Sequence, residues 1–353
     1  MIYVNARFLT QELTGVQRFA EQLSLSLSSQ RDDLVFVSPD GIIRKAIAEK
    51  LNVQVIGKKI GHAWEQFELP KYLKKQGAPL LLNLCSTAPM FYKNQIVTHH
   101  DVTYKRYPKS FSRNFKLLYG MLVPLMLRNS HRLLTVSEFS KREISEFYGV
   151  NEDKISIIYN AVSGDFARSE FRDNKERYLL AVSSPNYHKN FHGMIEAFLK
   201  LEGANCKLKV IGKASTSFAA QDYTQLLKET GDIEFLGRVD DKRLVELYQN
   251  ALAFVFPSFY EGFGIPPLEA QACGCPVISS NAASMPEVLT DSVIYFSPED
   301  TDMMAEVMMK VIVDERLRVA LINAGQENVK RFSWDASATK ISTILDELSG
   351  HSR

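Results

Sequence analysis

Two glutamates, Glu261 and Glu269, bracket the stretch Gly262-Phe263-Gly264-Ile265-Pro266-Pro267-Leu268 with seven residues between them. Carboxylates at either end of a glycine-bearing loop can accept hydrogen bonds from the hydroxyls of a sugar, and glycines let backbone N–H groups approach a ligand closely. The apolar run Phe254-Val255-Phe256 ahead of them ends at Pro257, and the pattern predicts a helix from about Pro267, since proline suits the first helical positions. A helix N-terminus beside such a loop is a natural anion site. Lys189, in Asn186-Tyr187-His188-Lys189-Asn190, sits between another apolar run and an amphipathic stretch, where a cation can meet a phosphate. Thr14-Gly15 opens a further helical pattern, and His99-His100-Asp101 closes a third apolar run. Each has an ordinary reading when taken alone. Glu269 can complement a helix dipole, Glu261 and Lys189 can be solvated, and Thr14-Gly15 can be a turn.

The elements that must hold these groups form a repeating pattern. Short apolar segments alternate with longer helical ones, which argues for parallel sheets covered by helices. Predicted strands in the first half are 1–4, 34–37, 53–56, 80–84, 96–98, 132–136 and 155–158, with helices over 16–28 and 139–148. Ser137 is the predicted N-cap of the second helix. The rhythm lapses between Ala161 and Glu176, then restarts with strands at 178–182, 208–211, 233–236, 253–256 and 277–279 and helices at 191–200 and 241–250. Closing helices follow Thr301 and Ser333. The expected architecture is α/β, with two Rossmann-like doubly wound domains facing a central cleft: 1–165, 166–335, and a C-terminal helix in 336–353 packing back on the first domain.

A formal charge of +1 on 353 residues gives no global field for nucleic acid. The four cysteines lack the paired spacing of a zinc site, and Asp32-Asp33 and Asp240-Asp241 read as turn residues, so neither metal nor cofactor is expected. Reduced thiols and a first segment that reads as a strand predict a cytoplasmic protein. The longest apolar run, Leu117 to Leu127, is interrupted by Gly120 and Pro124 and falls short of the ~20 residues a bilayer crossing needs.

The loop segment resembles the Glu-x7-Glu signature of retaining GT-B glycosyltransferases, the large family GT4. The likeness continues through Ala270-Gln-Ala-Cys-Gly-Cys-Pro-Val-Ile278 and Ser284-Met-Pro-Glu-Val288. The resemblance implies that Glu269 binds the ribose hydroxyls of a nucleotide and Glu261 the hydroxyls of the donor sugar. It implies that the Phe263-Gly264 backbone lies along sugar and diphosphate, and that Lys189-Asn190 supplies the diphosphate's cation. Gly15 would approach the diphosphate from the first domain, and His100 would face the donor sugar, with His99 next in line if the register is off by one. Many relatives place an arginine shortly before the lysine. Here those positions are Ser183 to His188, so His188, Lys213 or Arg238 is the candidate replacement.

The family implies retaining transfer of a hexosyl unit from a nucleoside-diphosphate sugar to a glycan or lipid-linked acceptor. GDP-mannose is the first expectation and dTDP-rhamnose the second, from likeness to bacterial polysaccharide mannosyl- and rhamnosyltransferases of O-antigen and lipopolysaccharide synthesis. A sugar-nucleotide epimerase or hydrolase, or a non-catalytic nucleotide-sugar-binding protein, would use the same architecture. The stretch 105–132 carries seven Lys/Arg and no acidic residue among aromatics. It reads either as a peripheral contact with the inner face of the cell membrane or as an ordinary helix burying one face.

Overall fold

The computed structural model describes residues 1–169, 176–182, 186–212 and 232–350. They form two compact units. The first comprises Met1–Arg106, Phe111–Asn160 and the chain from Ser333 onward, and the second Tyr107–Ser110 and Ala161–Phe332.

In the first unit, β1 (Ile2–Asn5), β2 (Leu34–Ser38), β3 (Gln54–Val55), β4 (Leu81–Asn83), β5 (Gln95–Thr98), β6 (Arg132–Thr135) and β7 (Ile155–Ile157) make one sheet, ordered β3-β2-β1-β4-β5-β6-β7. Every pairing is parallel. β1, β4 and β5 are buried at every position, as strands covered on both faces must be. The outermost strand β3 is exposed and two residues long, shorter than the predicted 53–56.

The helix Gly15–Gln30 packs against the helix Trp334–Ser349 within this unit. Trp334 meets Phe19 edge to face at 6.1 Å, Ser337 Oγ donates to the Tyr159 carbonyl at 2.8 Å, and Arg31 pairs with Asp346 at 2.7 Å. The helix Glu138–Tyr148 starts as predicted, with Ser137 Oγ accepting from Ser140 N, and ends on Gly149 at φ 63°. A five-residue π-helical turn, Trp64–Glu68, buries Trp64 under the sheet.

In the second unit, β8 (Tyr178–Val182), β9 (Lys207–Ile211), β10 (Ile233–Gly237), β11 (Ala253–Phe256), β12 (Val277–Ser280) and β13 (Ile294–Phe296) are ordered β10-β9-β8-β11-β12-β13, again all parallel. Its core unites Leu179, Leu208, Val255 and Ile278 of the sheet with Phe191, Met194, Met304 and Met308 of covering helices. The segment after Thr301 forms two helices, Thr301–Val313 and Glu315–Val329. Asp314 lies between them and caps the second by accepting from Leu317 N.

Candidate active site

In a doubly wound sheet the crevice for a ligand opens at the carboxyl edge, where neighbouring strands send their loops in opposite directions. In the second unit that point lies between β8 and β11, which pair through Ala253–Leu179 and Phe254–Leu180. The two loops leaving these strands are joined by Phe259 N donating to the His188 carbonyl at 2.8 Å. Across them Lys189 Nζ meets Glu261 Oε1 at 2.5 Å, and Ser258 Oγ donates to the same oxygen at 2.9 Å. Ser284 Oγ donates to the Glu261 carbonyl at 2.9 Å, and Ser280 Oγ to the Ser258 carbonyl at 2.6 Å, so the end of β12 and the residues after it also brace the loop. The Lys189 and Glu261 side chains are 26% and 14% exposed, a pair held in place yet still reachable by a ligand.

The helix predicted from Pro267 begins earlier, at Ile265, and runs to Ala272. Gly264 forces the change: its φ of 84° turns the chain, and proline then follows inside the first turn. A Cβ at Gly264 would stand 2.4 Å from Met285 Cε. With this start, Glu269 lies beyond the first turn, which holds no acidic residue. Glu269 is therefore no dipole partner at the helix start. It is buried, 7% exposed, beside the Tyr248 phenol, which burial and then the Glu269 charge push well above its ordinary pKa.

Other predicted residues are placed less directly. Phe263 turns its ring into the core, edge to face with Phe332 at 5.5 Å, leaving its backbone as the part that can meet a ligand. Asn190 adopts φ 50° as the N-cap of Phe191–Leu199 and donates from Nδ2 to the Pro298 carbonyl at 2.6 Å. Its side chain thus holds the turn that presents Lys189. Arg238 is exposed just beyond the outermost strand β10, two strands from β8. Lys213 and Ser183 to Pro185 lie outside the described residues.

In the first unit Gly15 is the first residue of its helix, and Phe19, one turn on, meets the His100 ring edge to face at 4.8 Å. His100 Nε2 lies 3.2 Å from the Leu84 carbonyl. A carbonyl only accepts, so the ring donates from Nε2, and when neutral it carries its lone pair on Nδ1. Burial holds the His100 pKa below its ordinary value and pushes His99 down to about 4. Asp101 Oδ1 accepts from Thr103 N at 2.9 Å and Thr103 Oγ1 at 2.6 Å, so this carboxylate caps the next turn and does not orient His100.

Sequence reasoning missed a buried polar network at the corresponding point of the first sheet, between β1 and β4. Arg7 Nε donates to Glu65 Oε1 at 3.1 Å and Arg7 Nη2 to Thr87 Oγ1 at 2.7 Å. Asn5 Nδ2 reaches both Glu65 Oε1 and Asn83 Oδ1 at 3.0 Å. Burial alone would raise the Glu65 carboxyl, but Arg7, His62 and Thr87 together hold it down to about 2. The signal available in sequence was the polar pair Asn5 and Asn83, each ending an apolar strand. A cavity of about 650 Å³ in the second unit, lined by Arg177, Cys206, Lys207 and Asp232, opens at the amino-terminal ends of β8 to β10, the wrong edge for this chemistry. One of about 490 Å³ lined by Tyr187, Asn190, His192 and Phe259 adjoins the Lys189 loop.

Comparison with known proteins places the chain in a family. The chain is 36% identical over 215 residues to the O-antigen chain mannosyltransferase RfbU of Salmonella typhimurium, covering 61% of this chain and 59% of that protein. It therefore spans about three fifths of that relative's length. It is 29% identical over 272 residues to the O-antigen chain mannosyltransferase B of Escherichia coli, 71% of each chain. The fold matches that of Anabaena HepE, solved in complex with UDP-glucose, at a TM-score of 0.72 and 16% identity over 98% of this chain and 99% of that one. Residues 13–166 match the profile of Glycosyltransferase Family 4, and residues 163–328 that of Glycosyl transferases group 1. With these two profiles together spanning nearly the whole chain, the protein belongs to the GT-B glycosyltransferases of family 4.

Proposed function

We propose that this chain is a retaining glycosyltransferase that moves a hexosyl unit from a nucleoside-diphosphate sugar to a hydroxyl of a bacterial surface polysaccharide or lipid-linked glycan. The observation that carries the reading is the Lys189–Glu261 pair at 2.5 Å, at the β8/β11 crevice and beside the helix that Gly264 opens. A cation and a helix N-terminus suit a departing diphosphate. Two carboxylates suit hydroxyls, Glu261 those of the hexose and the more buried Glu269 those of the ribose. The Phe263-Gly264 backbone and the turn at Asn190 complete this donor site. Gly15 and Arg238 are assigned to the diphosphate, and His100, neutral, accepts a hydroxyl hydrogen bond from the hexose.

In the reaction the bond between the anomeric carbon and the diphosphate oxygen breaks, and its electron pair leaves with the diphosphate. The acceptor oxygen bonds to the same face of that carbon, and its proton passes to a departing phosphate oxygen. Lys189 and the backbone N–H groups offset the charge that builds on the leaving group. The first unit binds the acceptor.

GDP-mannose is the first donor, supported by two relatives named as O-antigen mannosyltransferases, and dTDP-rhamnose the second. The acceptor is held at the inner face of the cell membrane and the protein meets it from the cytoplasm. No helix among the described residues is long and apolar enough to cross a membrane.

Incubation with GDP-mannose, dTDP-rhamnose or UDP-glucose and a glycan acceptor, read by mass spectrometry and NMR, tests this. The expected products are an acceptor longer by one hexose, with retained anomeric configuration, and free nucleoside diphosphate. An isomerised donor with no extended acceptor would identify an epimerase, and an inverted linkage would remove the retaining mechanism.

A further inference from the structure

We infer that the second unit carries a subsite for a neutral sugar of the glycan, beside the donor site and separate from it. The subsite is the cavity of about 490 Å³ next to the Lys189 loop, and neither Lys189 nor Glu261 lines it. All of its lining residues belong to the second unit.

One wall is aromatic. The Tyr187 ring lies near-parallel to that of His192, at 5.2 Å and 20°, and to that of Phe259, at 5.7 Å and 23°, with Tyr107 tilted beside it at 6.4 Å. Tyr187 is nevertheless 61% exposed. Aromatic rings in a core hide their faces, whereas this group presents a flat surface at a cavity. Such a surface suits a pyranose, whose C–H groups carry the partial positive charge that an aromatic face attracts.

The rim is polar. Glu196 and Glu299 are exposed there, and their carboxylates can accept from sugar hydroxyls. Thr301 Oγ1 accepts from Lys200 Nζ at 2.7 Å and can still donate its own proton. Charge selects the kind of sugar. The charged side chains on the lining are the two glutamates, and Lys200 at its edge is paired with Asp302. Burial holds His192 below its ordinary pKa, so its ring is neutral at pH 7. A neutral hexose is accepted, and a uronic acid or sugar phosphate is repelled.

A cationic ligand would also suit rings and carboxylates, and position decides between the two. Tyr187 and Phe259 precede Lys189 and Glu261 by two residues each, on the loops joined by Phe259 N and the His188 carbonyl. A sugar held here therefore bears on the loops assigned to the donor, where binding of a remote part of the substrate can assist transfer. The inference rests on the transferase reading proposed above for the glycan that supplies this sugar.

Calorimetry of the full chain with manno-, rhamno-, galacto- and gluco-oligosaccharides, and with oligogalacturonate, reads the subsite without a donor. Expected is a Kd below about 10 mM for at least one neutral series, with oligogalacturonate at least about tenfold weaker. Tyr187→Ala should weaken the neutral oligosaccharide at least about tenfold, with unchanged thermal melting and nucleoside-diphosphate affinity within roughly twofold of the parent. Glu196→Gln/Glu299→Gln, changed at exposed positions, should narrow the gap between neutral and acidic glycans. In transfer assays Tyr187→Ala should raise KM at least about tenfold for a long glycan acceptor and leave a simple alkyl glycoside within roughly twofold. A merely structural role would move both acceptors alike. If the transferase reading fails, no acceptor is extended while oligosaccharide binding and its loss are still measured, so the two readings fail separately. No neutral oligosaccharide bound below about 10 mM, variants that bind as the parent does, or tetramethylammonium bound at Tyr187 in place of any glycan would each overturn the inference.

Discussion

Lys189 Nζ stands 2.5 Å from Glu261 Oε1 and so links the loop after β8 to the loop after β11. A diphosphate entering between them would draw the ammonium from the carboxylate, and the freed carboxylate could then accept from a sugar hydroxyl. Under the proposed function, the pair would hold the two loops ready for a donor that replaces their mutual contact.

Lys189→Ala and Glu261→Gln should then separate binding from transfer. Lys189→Ala should weaken nucleoside-diphosphate binding at least about tenfold and lower kcat by about 10²- to 10³-fold, the scale for losing one preorganised charge-stabilising group. Glu261→Gln should keep diphosphate affinity and lose a similar factor in kcat. The double variant should lose less than the product of the two single losses, because the residues touch. Calorimetry with the nucleoside diphosphate and steady-state transfer rates check all three.

Gly264→Ala should destabilise the second unit by about 1–2 kcal/mol, from a non-glycine residue at φ 84°. The new methyl also meets Met285 Cε, the flexible end of a side chain, which can move. Adding Met285→Ala should therefore fail to restore the loss. Urea unfolding of the single and double variants measures it.

Glu65→Ala should cost about 3–5 kcal/mol, because it leaves the Arg7 guanidinium buried and uncompensated. An Arg7→Met/Glu65→Met variant should recover most of that. The folded carboxyl sits near 2, below the ordinary 4.5 of a glutamate. Its contribution is thus complete above about pH 4.5 and is lost as pH falls through about 2. Unfolding free energies of parent and Glu65→Gln should converge over that interval, read by denaturant titration at each pH.

His99 should stay neutral down to about pH 5, because burial lowers its pKa to about 4. Its folded pKa lies below the ordinary one, so the stability it lends is present above about pH 6.5 and lost as pH falls through about 4. NMR titration of the ring, assigned with His99→Gln, would show an ordinary midpoint near 6.5 if burial had no effect.

Much of this was legible in sequence. Strands of a parallel sheet covered on both faces are continuous apolar runs, which is why Tyr178–Val182 and Ala253–Phe256 read out residue by residue. Ser137 declared a helix start through its own side chain. Features that depend on distant partners did not read out. Nothing near Glu261 in sequence announces that Ser284 will brace its carbonyl. Nor does anything near Asn190 in sequence announce that its Nδ2 will donate to the Pro298 carbonyl, 108 residues away. β13, Ile294–Phe296, is too short for periodicity to distinguish it from a loop. Glu65, which meets Arg7, lies in a π-helical turn, and single-sequence patterns give no i→i+5 spacing to expect there.

The helix Trp334–Ser349 is the last described element of the chain, yet it covers Phe19 of the Gly15–Gln30 helix, far earlier in the sequence. During synthesis, the first unit's strands and the Gly15–Gln30 helix emerge long before their cover does, and all of Ala161–Phe332 is translated in between. The second unit can thus finish folding on the ribosome while the first still shows an apolar flank. Chains cut short before Trp334 would carry that flank permanently, exposed to proteases and chaperones.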